Sequence, residues 1–295
     1  MVVVLLYVDD IILTGSNYDE VARLQDELSL RFEMKKLGEL GTFLGLQIKN
    51  FYKGLFVSQI NYEKKLVEKF GMTDGKKRYT PLDVNPKLSR DEGTCLPDPR
   101  PYRALVGSLI YLTITSSDIA YAVGVVSRYM QEPRKPHLEK VKKILKYINT
   151  SLDIGLLYEK DAKFVLQGYA DVDFSRDRDD RRSTSEFVFL CGNTSISWSS
   201  RKQGSVSLST NEAEYKASAH VAHECIWLRR LWEDFHVKFD QPVPIHGDNL
   251  ILEGIIEMVA VRSEDNVASI FTKALPKCPF ENLLSMLGLV HRASL

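Results

Sequence analysis

Apolar positions recur along the chain with two different periods, and the switches between them predict a fold of mixed strands and helices. Val2 to Tyr7 is a β-branched and aromatic run that Asp9 and Asp10 interrupt and Ile11 to Leu13 resume, which predicts a hairpin with an acidic tip. Val21, Leu24, Leu28 and Phe32 then return at helical spacing, with Asp19 and Glu20 where the positive end of a helix dipole favours anions. A second hairpin is expected from Phe43 to Ile48 and Leu55 to Ser58 across Tyr52-Lys53-Gly54. The helix after it, from about Tyr62 to Phe70, can be capped by Asn61 and ended by Gly71.

Between Asp74 and Pro101 the periodicity vanishes and Pro, Asp, Gly and Lys dominate, which marks a linker. Three helices are expected next, over Tyr102 to Thr113, Asp118 to Met130 and His137 to Asn149, the last with Leu138, Val141, Ile144, Leu145 and Ile148 on one face. From Phe164 the pattern predicts strands: Phe164 to Asp171, Thr184 to Cys191, Ser195 to Ser199 and Val206 to Leu208. A long helix from Asn211 to Phe235, strands at Val243 to His246 and Ile256 to Val261, and a helix from Glu264 to Lys273 complete a mixed sheet with helices against it, an α+β arrangement.

The 295 residues suit two domains or three, and 44% apolar with 26% charged residues is ordinary globular composition rather than that of a disordered chain. The 39 basic and 39 acidic side chains cancel, so no global attraction to nucleic acid is expected; local basic surfaces remain open. One such surface is the third helix of the linker-following group, where Lys140, Lys142, Lys143 and Lys146 come after Arg134 and Lys135. It reads either as a phosphate-contacting face or as an ordinary solvated one. Cys95, Cys191, Cys225 and Cys278 show neither zinc spacing nor a disulfide framework and are expected as four buried thiols. No apolar run approaches membrane length and no targeting leader is recognisable, so a soluble cytoplasmic or nuclear product without membrane contact is expected.

Three carboxylates stand out by position: Asp171 at a strand end, Glu214 in the first turn of the long helix, and Asp248 after another strand. Strand ends and helix starts converge at one edge of a sheet, and carboxylates gathered there repel one another unless hard cations neutralise them. Two magnesium ions about 3.5–4 Å apart are the usual arrangement for attack on a phosphodiester. Each acid alone reads equally as a solvated surface group.

The order of these residues carries a resemblance. Tyr7-Val8-Asp9-Asp10 resembles the YVDD motif of reverse transcriptases, and the residues after it are similar to the copia-type long-terminal-repeat retrotransposon Pol polyprotein. The likeness runs through "FEMKKLGELGTFLGLQI", "YTPLD", "YRALVGSLIYLT", "SDIAYAVGVVSRYM", "GYADVDFSRDRDDRRSTSEFVF", "ISWSSRKQGSVSLSTNEAEYKA" and "IFTKALP", in family order over nearly the whole chain. It implies the end of a polymerase palm with thumb-like part over residues 1–80, a helical connection over 81–160 and a ribonuclease H-like mixed sheet with helices over 161–290. Asp9 and Asp10 match the palm's metal-binding hairpin. Asp171, Glu214 and Asp248 match the first three metal ligands of ribonuclease H, with Glu212 the alternative to Glu214 and Asp173 on the same strand face as Asp171. Arg181 and Arg182 beside Ser183 and Thr184 are placed to contact phosphate, or to form surface ion pairs with Asp177, Asp179 and Asp180. The implied cofactor is Mg2+ or Mn2+, with no small-molecule cofactor. The implied partner is an RNA–DNA hybrid or template-primer; nothing in the sequence speaks to oligomeric state.

Several positions depart from the family pattern. Ser269 stands where the fourth carboxylate is expected, and a hydroxyl carries no charge to hold a divalent ion; Asp265 lies a full turn before it. "GDNL" runs almost directly into "ILEGIIEMVAVRSED", where the family has a further stretch of helix and basic loop. Ser116-Ser117 replaces an Arg-Pro pair and Glu186 a glycine. The chain opens at the hairpin, without the strand that supplies the palm's earlier aspartate, so polymerisation by this chain alone is not expected. The reading is therefore of an ancestral polymerase and ribonuclease H whose present copy is impaired or inactive, pseudogene-like, with a non-catalytic nucleic-acid-binding remnant as the alternative.

Overall fold

The computed structural model of the chain describes residues 1–72, 77–84, 88–175, 177–247 and 256–295, in two units, Met1–Ile48 and Lys49–Leu295. Helix and strand make up 38% and 25% of it, the α+β class expected.

In the smaller unit β1 (Val2–Tyr7) pairs antiparallel with β2 (Asp10–Gly15), Tyr7 opposite Asp10, so Val8 and Asp9 form the turn. Helix α1 (Tyr18–Arg31) starts at Asn17, whose side chain accepts from the amides of Asp19 and Glu20 at 3.0 and 3.2 Å. β3 (Thr42–Phe43) pairs with the start of β4 (Leu46–Phe51). The amphipathic pattern is present, yet no residue of this unit is buried. Leu30 and Phe32 are exposed, as are most side chains of β1.

The larger unit holds two sheets. One has the order β12 (Leu289–His291), β6 (Ile154–Glu159), β5 (Gly54–Ser58), β4, with β12 and β5 both antiparallel to β6. The other has the order β11 (Ile256–Ala260), β10 (Val243–Gly247), β7 (Leu166–Asp173), β8 (Thr184–Cys191), β9 (Thr194–Lys202). Its first three strands in sequence are antiparallel neighbours, whereas β10 and β11 run parallel to β7. The parallel step from β9 to β10 is bridged by helix α6 (Thr210–Asp234), as a parallel pairing requires.

Both faces of this second sheet are covered, which is why β8 is buried at seven of its eight positions instead of alternating, with an unbroken apolar run from Phe187 to Leu190. Phe187 and Phe189 pack with Leu166, Ala170, Val243 and Ile245 against Val221, Cys225 and Leu228 of α6. Val188 and Leu190 point the other way, into a core built by α2 (Ile60–Lys69), α3 (Arg100–Leu112), α4 (Ala120–Ser127), α5 (Lys135–Thr150), α7 (Ser269–Thr272) and α8 (Lys277–Met286). Each fully buried Leu, Ile, Val or Phe contributes roughly 1.5–3 kcal/mol of transfer free energy. Gly168 makes the close approach on the α6 side possible, because a Cβ there would lie 2.5 Å from Ile245 Cδ1 and 2.8 Å from Phe189 Cε1.

Several expectations need correction. Val206 to Leu208 is not a strand; Leu208 is 92% exposed and leads directly into the α6 cap at Ser209. The helix expected over Glu264 to Lys273 shrinks to α7, four residues, after turns. α2 begins at Ile60 with Gln59 at its cap position, so Asn61 does not cap it. Of the four free cysteines only Cys225 is buried; Cys95 and Cys278 are exposed. Among the described residues no helix is long and apolar enough to cross a membrane.

Candidate active site

Strand alternation decides where Asp171 points. Leu166 and Ala170 face α6, so Tyr169, Asp171 and Asp173 face the other side of the sheet. There α7 packs on β7, held by Asn266, whose buried side-chain amide donates to Ala170 O at 2.8 Å. Two hydroxyls of α7 converge on one oxygen: Ser269 Oγ donates to Asp171 Oδ2 at 3.1 Å and Thr272 Oγ1 donates to the same atom at 3.0 Å. The amide of Val172 donates to Oδ1 at 2.9 Å. Ser269 thus satisfies the Asp171 carboxylate in the position where a second carboxylate would repel it.

Directly across the ladder from Asp171 is Glu186, and across from Glu186 is Ser200. Glu186 is 1% exposed and its Oε2 has no hydrogen-bond partner. Burial, then the nearby Asp171 and Asp173 charges, push its carboxyl well above the usual range, which favours the protonated form. Hydroxyl counting agrees. Ser200 Oγ lies 2.8 Å from Phe271 O and 3.3 Å from Glu186 Oε1, and it has one proton to give. A carbonyl can only accept, so a protonated Glu186 donating to Ser200 Oγ satisfies both contacts.

Glu214 lies in the first turns of α6, half-buried, and its neighbour Glu212 is otherwise engaged. Ser209 Oγ accepts from the Glu212 amide at 3.2 Å, Glu212 Oε2 accepts from the Leu208 amide at 2.8 Å, and Lys216 Nζ lies 2.7 Å from Oε1. The Lys216 bond, with the backbone bond behind it, holds the Glu212 carboxyl below its usual range. Glu212 is therefore a helix-capping acid. Asp248, which comes after the last residue of β10, lies outside the described residues.

Among the described residues no three Asp, Glu, His or Cys side chains gather closely enough to hold a metal ion. The described groups that touch Asp171 include the Ser269 and Thr272 hydroxyls and the Val172 amide, with the Glu186 carboxyl across the ladder.

The hairpin aspartates Asp9 and Asp10 are both exposed, beside Val8 at φ 51°. A β-branched residue in the left-handed region is strained by about 1–3 kcal/mol. The basic positions turn out to be largely paired. Lys140 and Lys143 lie 3.1 and 2.5 Å from Asp83 Oδ2, Arg78 binds Asp83 Oδ1 at 2.8 Å, and Lys142 pairs with Glu139 at 2.9 Å. The Lys143 bond leads in holding the Asp83 carboxyl far below its usual range. Lys146 is half-buried on the same helix.

Arg182 pairs with Asp180 at 3.6 Å, and Arg181 takes a left-handed backbone at φ 58° with its amide donating to Asp177 O. The hub of that loop is Asp177, a role that its sequence context does not reveal. Its Oδ2 meets Lys202 Nζ at 2.7 Å and Arg128 Nη1 at 3.0 Å, and its Oδ1 accepts from the amides of Asp179 and Asp180. Burial alone would push this carboxyl up, but those donors outweigh it and hold it below its usual value. The missed signal at Glu186 was parity: it shares the inward face of β8 with Val188 and Leu190.

Comparison with known proteins gives one family-model match, described as reverse transcriptase (RNA-dependent DNA polymerase), over residues 1–84. The chain is similar to the retrovirus-related Pol polyprotein from transposon RE1 of Arabidopsis thaliana, 34% identical over 99% of this chain and 22% of that protein. It is similar to the corresponding polyprotein from transposon TNT 1-94 of Nicotiana tabacum, 32% identical over 98% of this chain and 24% of that protein. An uncharacterized mitochondrial protein of Arabidopsis thaliana is 42% identical over 76% of this chain and 92% of its own length. The chain spans about a fifth to a quarter of the length of the Pol relatives. No solved structure matches it significantly.

Proposed function

The chain belongs to the copia-type retrovirus-related Pol polyproteins of transposons, with a reverse transcriptase-like segment at its start, and from that premise we propose that its second sheet is a ribonuclease H-like domain whose hydrolytic site is impaired. The observation that carries the reading is the β11-β10-β7-β8-β9 order with an antiparallel β7-β8-β9 meander, a crossover helix and a parallel β10 beside β7. In such a sheet the strand order reverses at β7, and ligands bind outside the carboxyl ends of the strands at that point. Asp171 lies near the carboxyl end of β7, Glu214 opens α6, and Asp248 comes after β10. In the ancestral site these three, with Mg2+ or Mn2+, hydrolyse the RNA strand of an RNA–DNA hybrid.

The impairment rests on Ser269 and Glu186. One puts hydroxyls where an acid is expected; the other places a protonated acid against Asp171. The Mg2+ centre is thereby weakened from two sides. Nucleic-acid binding without cleavage is the weaker reading, because Lys140 and Lys143 are both engaged with Asp83. Incubation of purified protein with a labelled hybrid and Mg2+ or Mn2+ is expected to release no more product than Asp171→Asn. Strong cleavage that Asp171→Asn abolishes would end the impairment. If Ser269→Asp neither cleaves nor binds the hybrid, the ribonuclease H reading goes too.

A further inference from the structure

We propose that a cleft between the two sheets of the larger unit binds a small organic cation, an amidine or primary amine on a flat apolar body. The cleft has a volume of about 340 Å³, within the range of small-ligand sites. Its apolar lining comes from Leu157 and Leu190, both buried, with Tyr169 and Met286. The Tyr169 ring is braced by His246, stacked at 4.5 Å on the neighbouring strand, so it offers a fixed electron-rich wall to a cation.

The charge in the cleft has one sign. Glu159 is the charged side chain in the lining, which contains no Lys, Arg or His. Among the described residues Glu159 makes no ion pair, and its hydrogen-bond partner is Asn193, whose Nδ2 donates to Oε2 at 3.2 Å. A second source of negative potential enters from the other side. α8 runs ten residues and ends at this cleft, with Ser285, Met286 and Gly288 in its lining. The carbonyl end of a helix carries a partial negative charge that favours cations. Gly288, at φ 74°, brings that end close to β9: a Cβ on it would lie 2.8 Å from Asn193 O.

Apolar walls, an aromatic ring, one carboxylate and a helix C-terminus select a cation with a flat body. They select against phosphate, so this is not an extension of a nucleic-acid surface.

The test is an NMR titration of the full chain with benzamidine, and in parallel with benzamide, its neutral isostere. Benzamidine should shift the amides of Gly192, Thr194 and Gly288 saturably, with benzamide at least tenfold weaker. Glu159→Gln, an exposed substitution that leaves the packing intact, should weaken benzamidine at least tenfold, and Met286→Lys should abolish its binding. Equal binding of the two probes, an unchanged affinity in Glu159→Gln, or shifts confined to other parts of the chain would overturn the proposal.

Discussion

Asp177 and Glu186 are both buried acids on the ribbon formed by β7, β8 and the loop between them, and the protein handles them in opposite ways. Asp177 stays charged because Lys202, Arg128 and two amides surround it. Glu186 has no ion pair among the described residues, has one oxygen without a partner, and has its carboxyl pushed well above the usual range by burial. A buried charge costs several kcal/mol unless it is paired, so each acid takes the protonation state that its neighbours permit. The contrast teaches that the loop is a self-sufficient structural lock, whereas the strand ends around Asp171 relieve their crowding of acids through hydroxyl donors and a raised carboxyl. A metal site and a hydroxyl-satisfied site are alternative solutions to the same crowding of acids.

The largest expected effect is at the lock. Asp177→Ala leaves Arg128 partly buried without its ion-pair partner, leaves Lys202 with Asp180 alone and removes the acceptor of two amides, and should cost about 3 kcal/mol in denaturant unfolding. A smaller loss would place the two cations closer to solvent than their 19% and 22% exposure implies.

A second pair of buried acids extends the comparison through pH. Burial, and then the Asp118 charge, raise Glu63 from 4.5 to about 8; burial raises Asp118 from 3.8 to about 6, partly opposed by the Tyr147 hydroxyl that donates to it. Asp153 also raises Glu63, while Lys64 and the Ser116 hydroxyl lower it. Because the folded values lie above the unfolded ones, the folded state holds more protons in between. Stability from this pair is full below about pH 4 and is lost as pH rises through 6 and then 8, at up to about 1.4 kcal/mol per pH unit for each group. Equilibrium unfolding between pH 4 and 9 should show that decline, and Glu63→Gln should flatten its upper part. A stability that rises over this range would contradict the burial of the pair.

Ser269→Asp removes a hydroxyl donor from Asp171 and sets a second carboxylate beside it. Without divalent ions it should destabilise by about 1–3 kcal/mol. Addition of Mg2+ should recover much of that loss, a linkage absent from the unmodified chain. Glu186→Gln replaces one neutral group with another of the same shape, so melting at pH 7 should change by less than about 1 kcal/mol. A large loss there would mean that Glu186 is charged. Lys142→Ala, which breaks a surface pair with Glu139, should have the smallest effect, within about 0.5 kcal/mol.

The apolar run of β8 was legible because its length and bounds match the ladder, and the long helix because its cap and apolar stripe coincide. Short elements were not: β6, α8 and β12 were not anticipated, since six, ten or three residues whose partners are distant in sequence carry little periodic signal. Val206 to Leu208 alternates like a strand but pairs with none of the described strands. At the site, Asp171 was singled out by its place at a strand end and Ser269 by the resemblance, and the two side chains are hydrogen-bonded. Glu212 against Glu214 was not decidable from spacing, because the capping bond to Leu208 depends on the backbone path into the helix. The ion pairs of the basic helix were not legible either, for Asp83, which Lys140 and Lys143 share, lies about sixty residues away in sequence.

The most direct test of an impaired ribonuclease H-like site is a comparison of the unmodified chain, Asp171→Asn and Ser269→Asp in hybrid cleavage with Mg2+, each checked for folding by circular dichroism. The account predicts that the first two are indistinguishable and that cleavage appears in the third. Full cleavage by the unmodified chain, abolished in Asp171→Asn and not improved by Ser269→Asp, would contradict it.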